Sequence, residues 1–539
     1  MADTFVDPLH RVSGPDTAWT RVNIGEGIPG VCTPLNWSWR DDTQERTIRG
    51  AYYDMGVLSR IEVSDPLDVD RRASAIFYGR PALNVDVSRA LADRQPGTSG
   101  DALEELYFGA VRENVRSVKS RRRYPVIFLK SAPLWTGLHH RVNEFYAQTR
   151  MLWRSLLDGP GPVDLVAAQA GFVAAHRQFE AVTRPHSVLA LLVGALTGQL
   201  RALAAQAGQA EAVMDILGGH DSIELETTRD MQELAGGRSS IATFLSRHGY
   251  QGPAPGEISS LSWREDPRPI EALAESFASG SDAGERVRED TASRRVKAEE
   301  RLLSGLSGWR RSAAQHLIGR ARVMMPARET GKAAMTLAID MGRYHARVLG
   351  QLAADAGLLS DPEDIFYLIM DELSSLPRRD LEERVARRRM QRTHYESLEL
   401  PQSWIGMVEP IAGEVSMTSR RLEGLGVSPG RVQGRVRVLT DLSTGEQLEP
   451  GEILVCVATN PSYASYFLIA AGVVTDIGGA LGHGAIVARE VGIPCVVNTK
   501  IGSRILRTGD EIEIDGSTGQ IEIIARAKHE SDASQGDAT

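Results

Sequence analysis

The spacing of apolar residues changes near residue 400, and this change restricts the possible folds more than any other feature of the chain. Before that point, apolar residues recur every three or four positions, as on one helix face, in segments 165–182, 186–207, 286–303, 309–325, 331–353 and 380–399. Beyond it, residues 425–439 alternate as strands do, and the apolar runs 453–457 and 495–497 are typical of buried strands. The sequence therefore predicts a multidomain protein in which a large, mainly α-helical domain precedes a compact α/β domain.

Changes in composition set the boundaries of these domains. We expect an N-terminal segment 1–18, a helical domain 19–400, a hinge or linker 401–424, the α/β domain 425–527 and a disordered polar tail 528–539. Within the helical domain, residues 19–39 are dense in glycine, proline and tryptophan, and we expect no regular helix there because Pro29 and Pro34 lack a backbone donor. Trp37 in this segment fits either a packing anchor or the lining of a ligand cavity.

The charge and cysteine content exclude several classes of protein. The 61 lysines and arginines are outnumbered by 70 acidic residues, which gives a net charge of −9 and predicts no nucleic-acid partner. Three cysteines are too few for a disulfide framework or a thiolate metal site, and no metal site is predicted. The N-terminus lacks a signal pattern, and the apolar segment 187–200 is shorter than the roughly 18 residues of a membrane span. We expect a cytoplasmic protein with no membrane partner.

A histidine in a glycine-rich turn is the strongest chemical feature of the α/β domain. His483 follows Gly478 and Gly479 and opens a short predicted helix, 484–491. The neighbouring glycines, among them Gly484, leave the imidazole uncrowded. Backbone N–H groups at a helix start favour an anion and keep the ring neutral, which is the form that attacks phosphorus. A glycine-rich turn with an incidental surface histidine would show the same local pattern.

The longer string around this histidine resembles the phosphohistidine swivelling domain of phosphoenolpyruvate-utilising enzymes. The shared elements are Gly478-Gly479, His483, Ala485-Ile486, Ala488-Arg489-Glu490 and Gly492-Ile493-Pro494. The resemblance implies that His483 carries a phosphoryl group between two active sites. It also implies that Gly478, Gly479, Gly484 and Arg489 support the histidine and its phosphate.

The helical domain is similar to the substrate-binding part of rifamycin-phosphotransferase-like proteins. The looser matches are Asn23-Ile24-Gly25-Glu26, Pro34-Leu35, the run from Trp263 to Pro267, Arg328-Glu329 with Lys332, and the run from Asp361 to Phe366. We find no stretch that fits the ATP-grasp domain of these enzymes. The arrangement is similar to phenylphosphate synthase and 4-cresol-phosphorylating enzymes, and implies that a separate ATP-grasp subunit binds ATP and Mg²⁺ and phosphorylates His483.

The resemblance also indicates where the acceptor binds. Arg328 and Lys332 are spaced to share one helix face, and we expect them to bind the transferring phosphoryl group; two solvent-facing basic residues are the alternative. His248 and Glu257 are candidate general bases in the proline- and glycine-rich loop 248–269, where Arg264 is a candidate substrate ligand. A buried structural role fits each of these three equally well. His139 is a weaker candidate for substrate binding.

Three functions remain open for the chain. In the first, phosphate passes from ATP to His483 and on to the hydroxyl of a small phenol, giving an aryl phosphate, AMP and phosphate. In the second, the same chemistry acts on a rifamycin-type antibiotic. In the third, the chain is a phosphohistidine carrier or regulator without its own small-molecule substrate. The size of the cavity in the helical domain should separate the first two.

Overall fold

The computed structural model describes residues 7–22, 24–108, 111–113, 115–210, 212–218, 223–278, 283–376, 380–411, 420–440, 448–463, 466–479 and 482–527. For residues 105–108, 224, 276–278, 283–291, 461, 483 and 490 the description covers the backbone and not the side chain. The predicted tail 528–539 lies outside the described residues, as do Asn23 and residues 1–6 of the predicted N-terminal segment 1–18.

The helices and strands follow one another in the order that the change of periodicity predicts. The helices are α1 (Ile24–Gly27), α2 (Pro34–Asp54), α3 (Val85–Ala92), α4 (Gly100–Phe108), α5 (Tyr124–Asp158), α6 (Leu165–Gln206), α7 (Ala212–Leu217), α8 (Ile223–Ala235), α9 (Ile241–His248), α10 (Arg268–Ala278), α11 (Ala283–Ser304), α12 (Gly308–Asp355), α13 (Met370–Leu373), α14 (Leu381–Ser397), α15 (His483–Val491) and α16 (Gly502–Ile505). The strands are β1 (Ala18–Thr20), β2 (Ser74–Phe77), β3 (Arg80–Asn84), β4 (Ser403–Ile405), β5 (Arg421–Glu423), β6 (Leu425–Ser428), β7 (Arg431–Val438), β8 (Ile453–Cys456), β9 (Gly472–Thr475), β10 (Cys495–Val497), β11 (Glu511–Asp515) and β12 (Gln520–Ala525). The predicted fold class, a large helical region and an α/β domain with its own sheet, is confirmed.

The chain divides into two compact units whose boundaries differ from the predicted ones. The helical unit comprises Met1–Leu225, Tyr250–Ser262 and Arg295–Ala412, and the histidine unit comprises Glu226–Gly249, Trp263–Arg294 and Gly413–Thr539. Two pieces of the segment 19–400 therefore fold with the α/β domain. The predicted linker 401–424 is also partly structured, because β4 and β5 lie within it, and its residues 412–419 fall outside the described part.

Three long helices form the body of the helical unit. Helix α12 packs against α5 and α6. The sequence predicted one helical segment before and one after Pro185, and likewise one before and one after Pro326. In the structure, α6 and α12 each continue through their proline without a break. A proline removes one backbone hydrogen bond, but the apolar faces before and after it are buried in two core clusters, each built from both α6 and α12, so packing outweighs the loss.

Helix α6 is also the described helix that is long and apolar enough to cross a membrane by length and composition. Half of the most apolar 18-residue stretch of this helix is buried inside the unit, where the helix packs against α12. A core helix of a globular unit passes the same test, so this feature adds no argument for a membrane span.

A small sheet closes one end of the helical unit, in the strand order β2-β3-β1-β4. The expectation that residues 19–39 hold no regular helix is wrong at the short helix α1 and from Pro34 onward. Pro34 occupies the first turn of α2, where its missing N–H costs nothing, and the Thr33 side chain accepts a hydrogen bond from the Asn36 N–H. Trp37 lies on this helix, 2% exposed, in an apolar cluster with Cys32, and so has the position of a packing anchor.

An eight-stranded sheet organises the histidine unit, in the order β5-β12-β11-β7-β8-β9-β10-β6. Strands β7, β8, β9 and β10 pair in parallel, and β6 closes antiparallel on β10. The sequence also predicts a helix over residues 463–471, and this prediction is wrong: the described residues there form short 3₁₀ turns at Pro461–Tyr463 and Tyr466–Leu468. Residues from α8 to α10 share the core of this unit, through Met231, Phe244 and Trp263.

Candidate functional site

His483 lies at the N-terminus of α15, beyond the carboxyl ends of parallel strands. Strand β9 ends at Thr475, and the chain reaches α15 through residues 476–482. Strand β8, parallel to β9, ends at Cys456 and is followed by Thr459. In open α/β sheets this edge is where ligands bind. The imidazole of His483 lies outside the described part of the chain, so the site is defined by the residues around it.

The glycines of this loop allow close packing against the sheet. A Cβ at Gly478 would lie 2.9 Å from the Val497 Cβ, and a Cβ at Gly484 would lie closer than 3.0 Å to the Thr459 Oγ1. The Gly482 N–H donates to the Gly479 carbonyl at 2.9 Å, which closes the turn immediately before the helix. Gly478, Gly479 and Gly484 are therefore brought together around the histidine backbone, with Thr459 as a neighbour that the sequence argument did not single out.

Asp476, the first residue of the loop 476–482, is held in place by hydrogen bonds to its carboxylate. Its carboxylate accepts hydrogen bonds from the Ser503 N–H at 2.9 Å and the Thr499 hydroxyl at 3.0 Å, and the Ser503 hydroxyl also contacts it. Burial raises the pKa of this carboxyl, and the hydrogen bonds from Ser503 and Thr499 oppose the rise. The network ties the start of the histidine loop to α16. Asp476 stands two residues before Gly478, and that position in the motif could have identified it.

Arg489 lies on the same helix but away from the histidine. Its Nε donates to the Val427 carbonyl on β6 at 2.5 Å. Six residues of helix separate Arg489 from His483, about 9 Å along the axis. This arrangement positions the helix on the sheet, and a direct role of Arg489 in binding phosphate stays a prediction.

The predicted basic pair lies in the helical unit, on α12, as a partly buried group. The Lys332 Nζ contacts the Glu329 carboxylate at 2.9 Å, and the Arg328 Nη1 lies 3.8 Å from it. The two side chains are 28% and 18% exposed, so neither is a freely solvated surface residue. Whether they bind phosphate stays a prediction.

His186 is a member of this group that sequence reasoning missed. A Cβ at Gly331 would lie 2.6 Å from the His186 Nδ1, which shows how closely α6 packs on α12 here. Burial lowers the pKa of His186 to about 3, with further lowering by the charges of Lys332 and Arg328. The ring is therefore neutral at pH 7, and its Nδ1 has no hydrogen-bond partner among the described residues. The antiparallel packing that joins residues 186 and 331 leaves no local sequence signal.

The other predicted residues do not converge on one place. His248 belongs to the histidine unit, where its Nε2 lies 2.8 Å from the Asp230 carboxylate and its Nδ1 lies 3.1 Å from the Thr227 hydroxyl. Arg264 is in the same unit, 3.4 Å from Glu265. His248 is only 2% exposed and both ring nitrogens are engaged, which is the geometry of a structural residue.

Glu257 belongs to the helical unit, although it shares a sequence loop with His248. Its carboxylate accepts hydrogen bonds from the Thr33 hydroxyl at 2.7 Å and the Ser259 hydroxyl at 3.0 Å, and its backbone carbonyl accepts one from Arg343 at 3.0 Å. These contacts fix the loop onto the start of α2. The loop therefore distributes its three candidate residues between two units.

One group of metal-ligating residue types lies close together in the described part of the chain. Ligand atoms of Glu226, Asp230 and His248 lie within 4.8 Å of one another. Asp230 also contacts Arg247 at 3.1 Å, so its charge is already balanced by a cation. The three cysteines are buried and are not bridged to one another.

A cavity of about 910 Å³ lies in the helical unit between α2, α5 and α6. Its apolar wall is formed by Leu134, Leu138, Phe145, Pro185 and Val188. Ion pairs line the remainder, between Arg46 and Glu180 at 3.0 Å and between Arg184 and Asp54 at 2.6 Å. Pro185, which lines the cavity, directly precedes His186 of the basic group in sequence. The cavity is large enough for a drug-sized molecule, since such pockets span roughly 300–1,000 Å³.

Comparison with known families agrees with the motif around His483. Residues 448–519 match the mobile domain of PEP-utilising enzymes, and residues 193–329 match the fourth domain of rifampicin phosphotransferase. The first match contains β8 to β11 and the whole histidine loop. The second contains Arg328 and His248.

Similar proteins carry related names. A rifampicin phosphotransferase of Streptomyces sviceus is 31% identical over 301 residues, 53% of this chain and 34% of that protein. A rifampicin phosphotransferase of Bacillus subtilis is 28% identical over 298 residues, again 53% of this chain and 34% of that protein. An uncharacterized protein of Mycobacterium tuberculosis is 38% identical over 211 residues, 39% of this chain and 24% of that protein.

The aligned part thus spans between a quarter and a third of the length of these relatives. Both matched domains lie where the sequence motifs predicted a link to phosphoenolpyruvate-utilising enzymes. Residues 448–519 therefore match the mobile domain of PEP-utilising enzymes, residues 193–329 match a rifampicin phosphotransferase fourth domain, and the chain is similar to rifampicin phosphotransferases over about half of its own length.

Proposed function

We propose that this chain is the histidine-bearing, acceptor-binding part of an ATP-dependent phosphotransferase. The observation that carries the proposal is the position of His483, at the start of α15 and at the carboxyl edge of the parallel strands in the matched mobile domain. The first backbone N–H groups of a helix have no partner within the helix, and they favour an anion at that end. A phosphoryl group on His483 would therefore find donors next to it.

The reaction consists of two phosphoryl transfers. In the first, His483 attacks the β-phosphorus of ATP held with Mg²⁺ by an ATP-grasp module, AMP leaves, and a water molecule cleaves the β–γ linkage to release the γ group as phosphate. In the second, an acceptor hydroxyl attacks the phosphorus, the P–N bond breaks, and neutral imidazole leaves. The acceptor proton passes to a base. We take the ATP-grasp module to be a separate subunit, and ATP and Mg²⁺ to bind mainly there.

The helical unit supplies the cations that the second transfer needs. Arg328 and Lys332 are held beside Glu329, which leaves this group with a net positive charge. Cations at fixed positions stabilise the charge on the equatorial phosphoryl oxygens. His186 stays neutral beside them, and its ring is packed against Gly331 between α6 and α12. It therefore positions α12, and with it the two cations, without adding a charge to the group.

The size of the cavity favours a bulky acceptor over a small phenol. A volume of about 910 Å³ would leave most of the site empty around phenol or 4-cresol, whereas it fits a drug-sized molecule with an apolar body. Two of the relatives that are similar to this chain are named rifampicin phosphotransferases. A polycyclic, hydroxyl-bearing acceptor of the rifamycin type is therefore the first candidate, and the phenol class is the second arm of the test.

The experiment is a discharge assay with phosphorylated protein. The chain is charged with labelled ATP, Mg²⁺ and an ATP-grasp partner, freed of nucleotide, and mixed with a rifamycin, with 4-cresol or with buffer. Rapid loss of label to the rifamycin, with retention in buffer, is the expected result. Faster transfer of label to 4-cresol than to the rifamycin would show that the acceptor is a small phenol and not a bulky molecule. Discharge to neither would favour the carrier function, and charging without a partner would overturn the separate-subunit arrangement.

The double variant Arg328→Gln/Lys332→Gln, compared with Arg311→Gln, tests the basic group in the same assay. Arg311 lies on α12 as well but is exposed. We expect charging of His483 to be unchanged in both variants and discharge to fall at least about a hundredfold in the double variant alone. An equal discharge rate in the two variants would remove the basic pair from the mechanism.

A further inference from the structure

Arg320 is a partly buried arginine without an anionic partner among the described residues. Its Nε and Nη2 are both buried and make no hydrogen bond. Burial lowers the pKa of Arg320, and no carboxylate opposes that effect. Other buried arginines of the helical unit are paired: Arg343 contacts Asp340 at 3.0 Å, and Arg388 contacts Glu372 at 2.6 Å. A partly buried charge without a counterion is unfavourable, so this edge of Arg320 is suited to bind an anionic ligand.

The two unpartnered atoms define the shape of that ligand. Nε and Nη2 lie on one edge of the guanidinium plane, and two parallel N–H groups on one edge match two oxygens of a carboxylate or phosphate. A neutral hydroxyl could satisfy one of these donors but not the buried charge. The geometry of the free edge therefore favours an oxyanion.

His139 of α5 adds a second unsatisfied group near this arginine. Its Nδ1 is buried and has no hydrogen-bond partner among the described residues, and its ring lies against His140 with centroids 4.0 Å apart. Burial lowers the pKa of His139, as do His140 and the charge of Arg320. On α5, His139 follows Leu138, a residue that lines the large cavity.

We propose that Arg320 and His139 form an oxyanion-binding subsite of the helical unit, which takes a phosphate or carboxylate group of the molecule bound there. Arg320 binds the oxyanion through the Nε–Nη2 edge, and His139 donates a hydrogen bond to it. The subsite differs from the Arg328–Lys332 group, whose charge is already shared with Glu329. The nature of the bound molecule rests on the proposed function, whereas anion binding itself does not need His483.

The test measures binding of inorganic phosphate and of benzoate to the full chain carrying His483→Ala, by calorimetry at constant ionic strength. Arg320→Met should weaken binding of the preferred anion at least about tenfold, since a bidentate charged contact is lost. His139→Gln should weaken it by a smaller factor. Arg311→Met, on the exposed part of the same helix, should leave it unchanged. Preference for phosphate or for benzoate tells whether the ligand offers a phosphate or a carboxylate.

Thermal unfolding separates this site from a structural arginine. Without anions, Arg320→Met should unfold at a higher temperature than the parent, because it removes an unpaired buried charge, and added phosphate or benzoate should stabilise the parent but not the variant. Equal anion affinity in Arg320→Met and Arg311→Met would overturn the proposal. So would a lower unfolding temperature of Arg320→Met together with unchanged anion binding. Because His483 is absent throughout, failure here leaves the proposed transfer untouched.

Discussion

Replacing Gly484 by alanine should displace the helix that carries His483, through one identifiable contact. The new Cβ would lie closer than 3.0 Å to the Thr459 Oγ1, whereas the next neighbours, the Thr459 Cβ and Cγ2, stay at 3.5 and 3.6 Å. Alanine alone would favour the helix by up to about 1 kcal/mol, but overpacking a buried site costs about 1–3 kcal/mol. Thr459 is only 3% exposed, so its side chain has little room to move.

A second substitution isolates this contact. Thr459→Ala removes the Oγ1 atom that the new Cβ would meet, whereas Thr459→Val replaces this atom with a methyl group of similar size. In Gly484→Ala/Thr459→Ala the clash should disappear, and the coupling energy of the pair should be about 1–3 kcal/mol. With Thr459→Val the clash should persist. Gly319 of α12 is the matched control, since a Cβ there meets nothing within 4 Å and should stabilise its helix slightly.

The assay is hydrogen exchange of the amides of α15 in the full chain, with phosphorylation of His483 as the functional readout. A coupling of 1–3 kcal/mol changes the local opening constant by about fivefold to 150-fold. We expect phosphorylation of His483 to be slower in Gly484→Ala than in the parent chain, and to recover its rate in Gly484→Ala/Thr459→Ala. If Gly484→Ala behaves the same with threonine, valine or alanine at position 459, the close packing of the loop is not what holds the histidine.

Three further predictions follow from named contacts. Asp476→Asn should cost about 1–3 kcal/mol, because one carboxylate oxygen that accepts from Ser503 or Thr499 becomes a donor, and an unchanged unfolding temperature would contradict this. The low folded pKa of His186, about 3, means that the unfolded chain binds a proton first as pH falls below 6.5. Stability should then fall by up to about 1.4 kcal/mol per pH unit down to pH 3, with no contribution above 6.5, and denaturant unfolding of His186→Gln should show a flatter slope; equal slopes would refute it. Ala181→Trp, which narrows the cavity, should slow discharge to a rifamycin at least about tenfold and leave discharge to 4-cresol unchanged, whereas equal slowing would remove the cavity from acceptor binding.

Local patterns in the sequence predicted much of the histidine unit. Strands β6 and β7 were predicted from the alternation of residues 425–439, β8 and β10 from apolar runs, and α15 from its position after Gly478 and Gly479. These features depend on residues a few positions apart. The 3₁₀ turns near Tyr463 were mistaken for a helix because their apolar residues face one core, as a helix face would. Such a spacing does not distinguish a short helix from two turns.

The assignment of segments to units depends on contacts that no local pattern records. Met231, Phe244 and Trp263 lie far from β8 in sequence, yet they pack in the core of the histidine unit. Helix periodicity predicts that such residues are buried, but it does not identify the elements against which they pack. For the same reason, the loop 248–269 suggested one site, whereas His248 and Glu257 belong to different units.

The acceptor side was also only partly predictable. Arg328 and Lys332 could be placed on one face from their spacing, but Glu329, between them in sequence, shares their charge. His186 joins them only because α6 runs antiparallel to α12 and Gly331 allows close contact. A residue that is distant in sequence, such as His186, joins a site through tertiary packing, and a rule based on local spacing does not describe such contacts.

The central claim is that His483 carries the phosphoryl group, and mapping the phosphorylated residue tests it most directly. The full chain, ATP labelled in its β-phosphate, Mg²⁺ and an ATP-grasp partner are combined, and the protein is digested under alkaline conditions for mass spectrometry. We predict acid-labile, base-stable phosphate on the peptide that contains His483, and none in His483→Ala, while His248→Gln is labelled normally. Phosphate on any other residue, or labelling that persists in His483→Ala, would contradict the account.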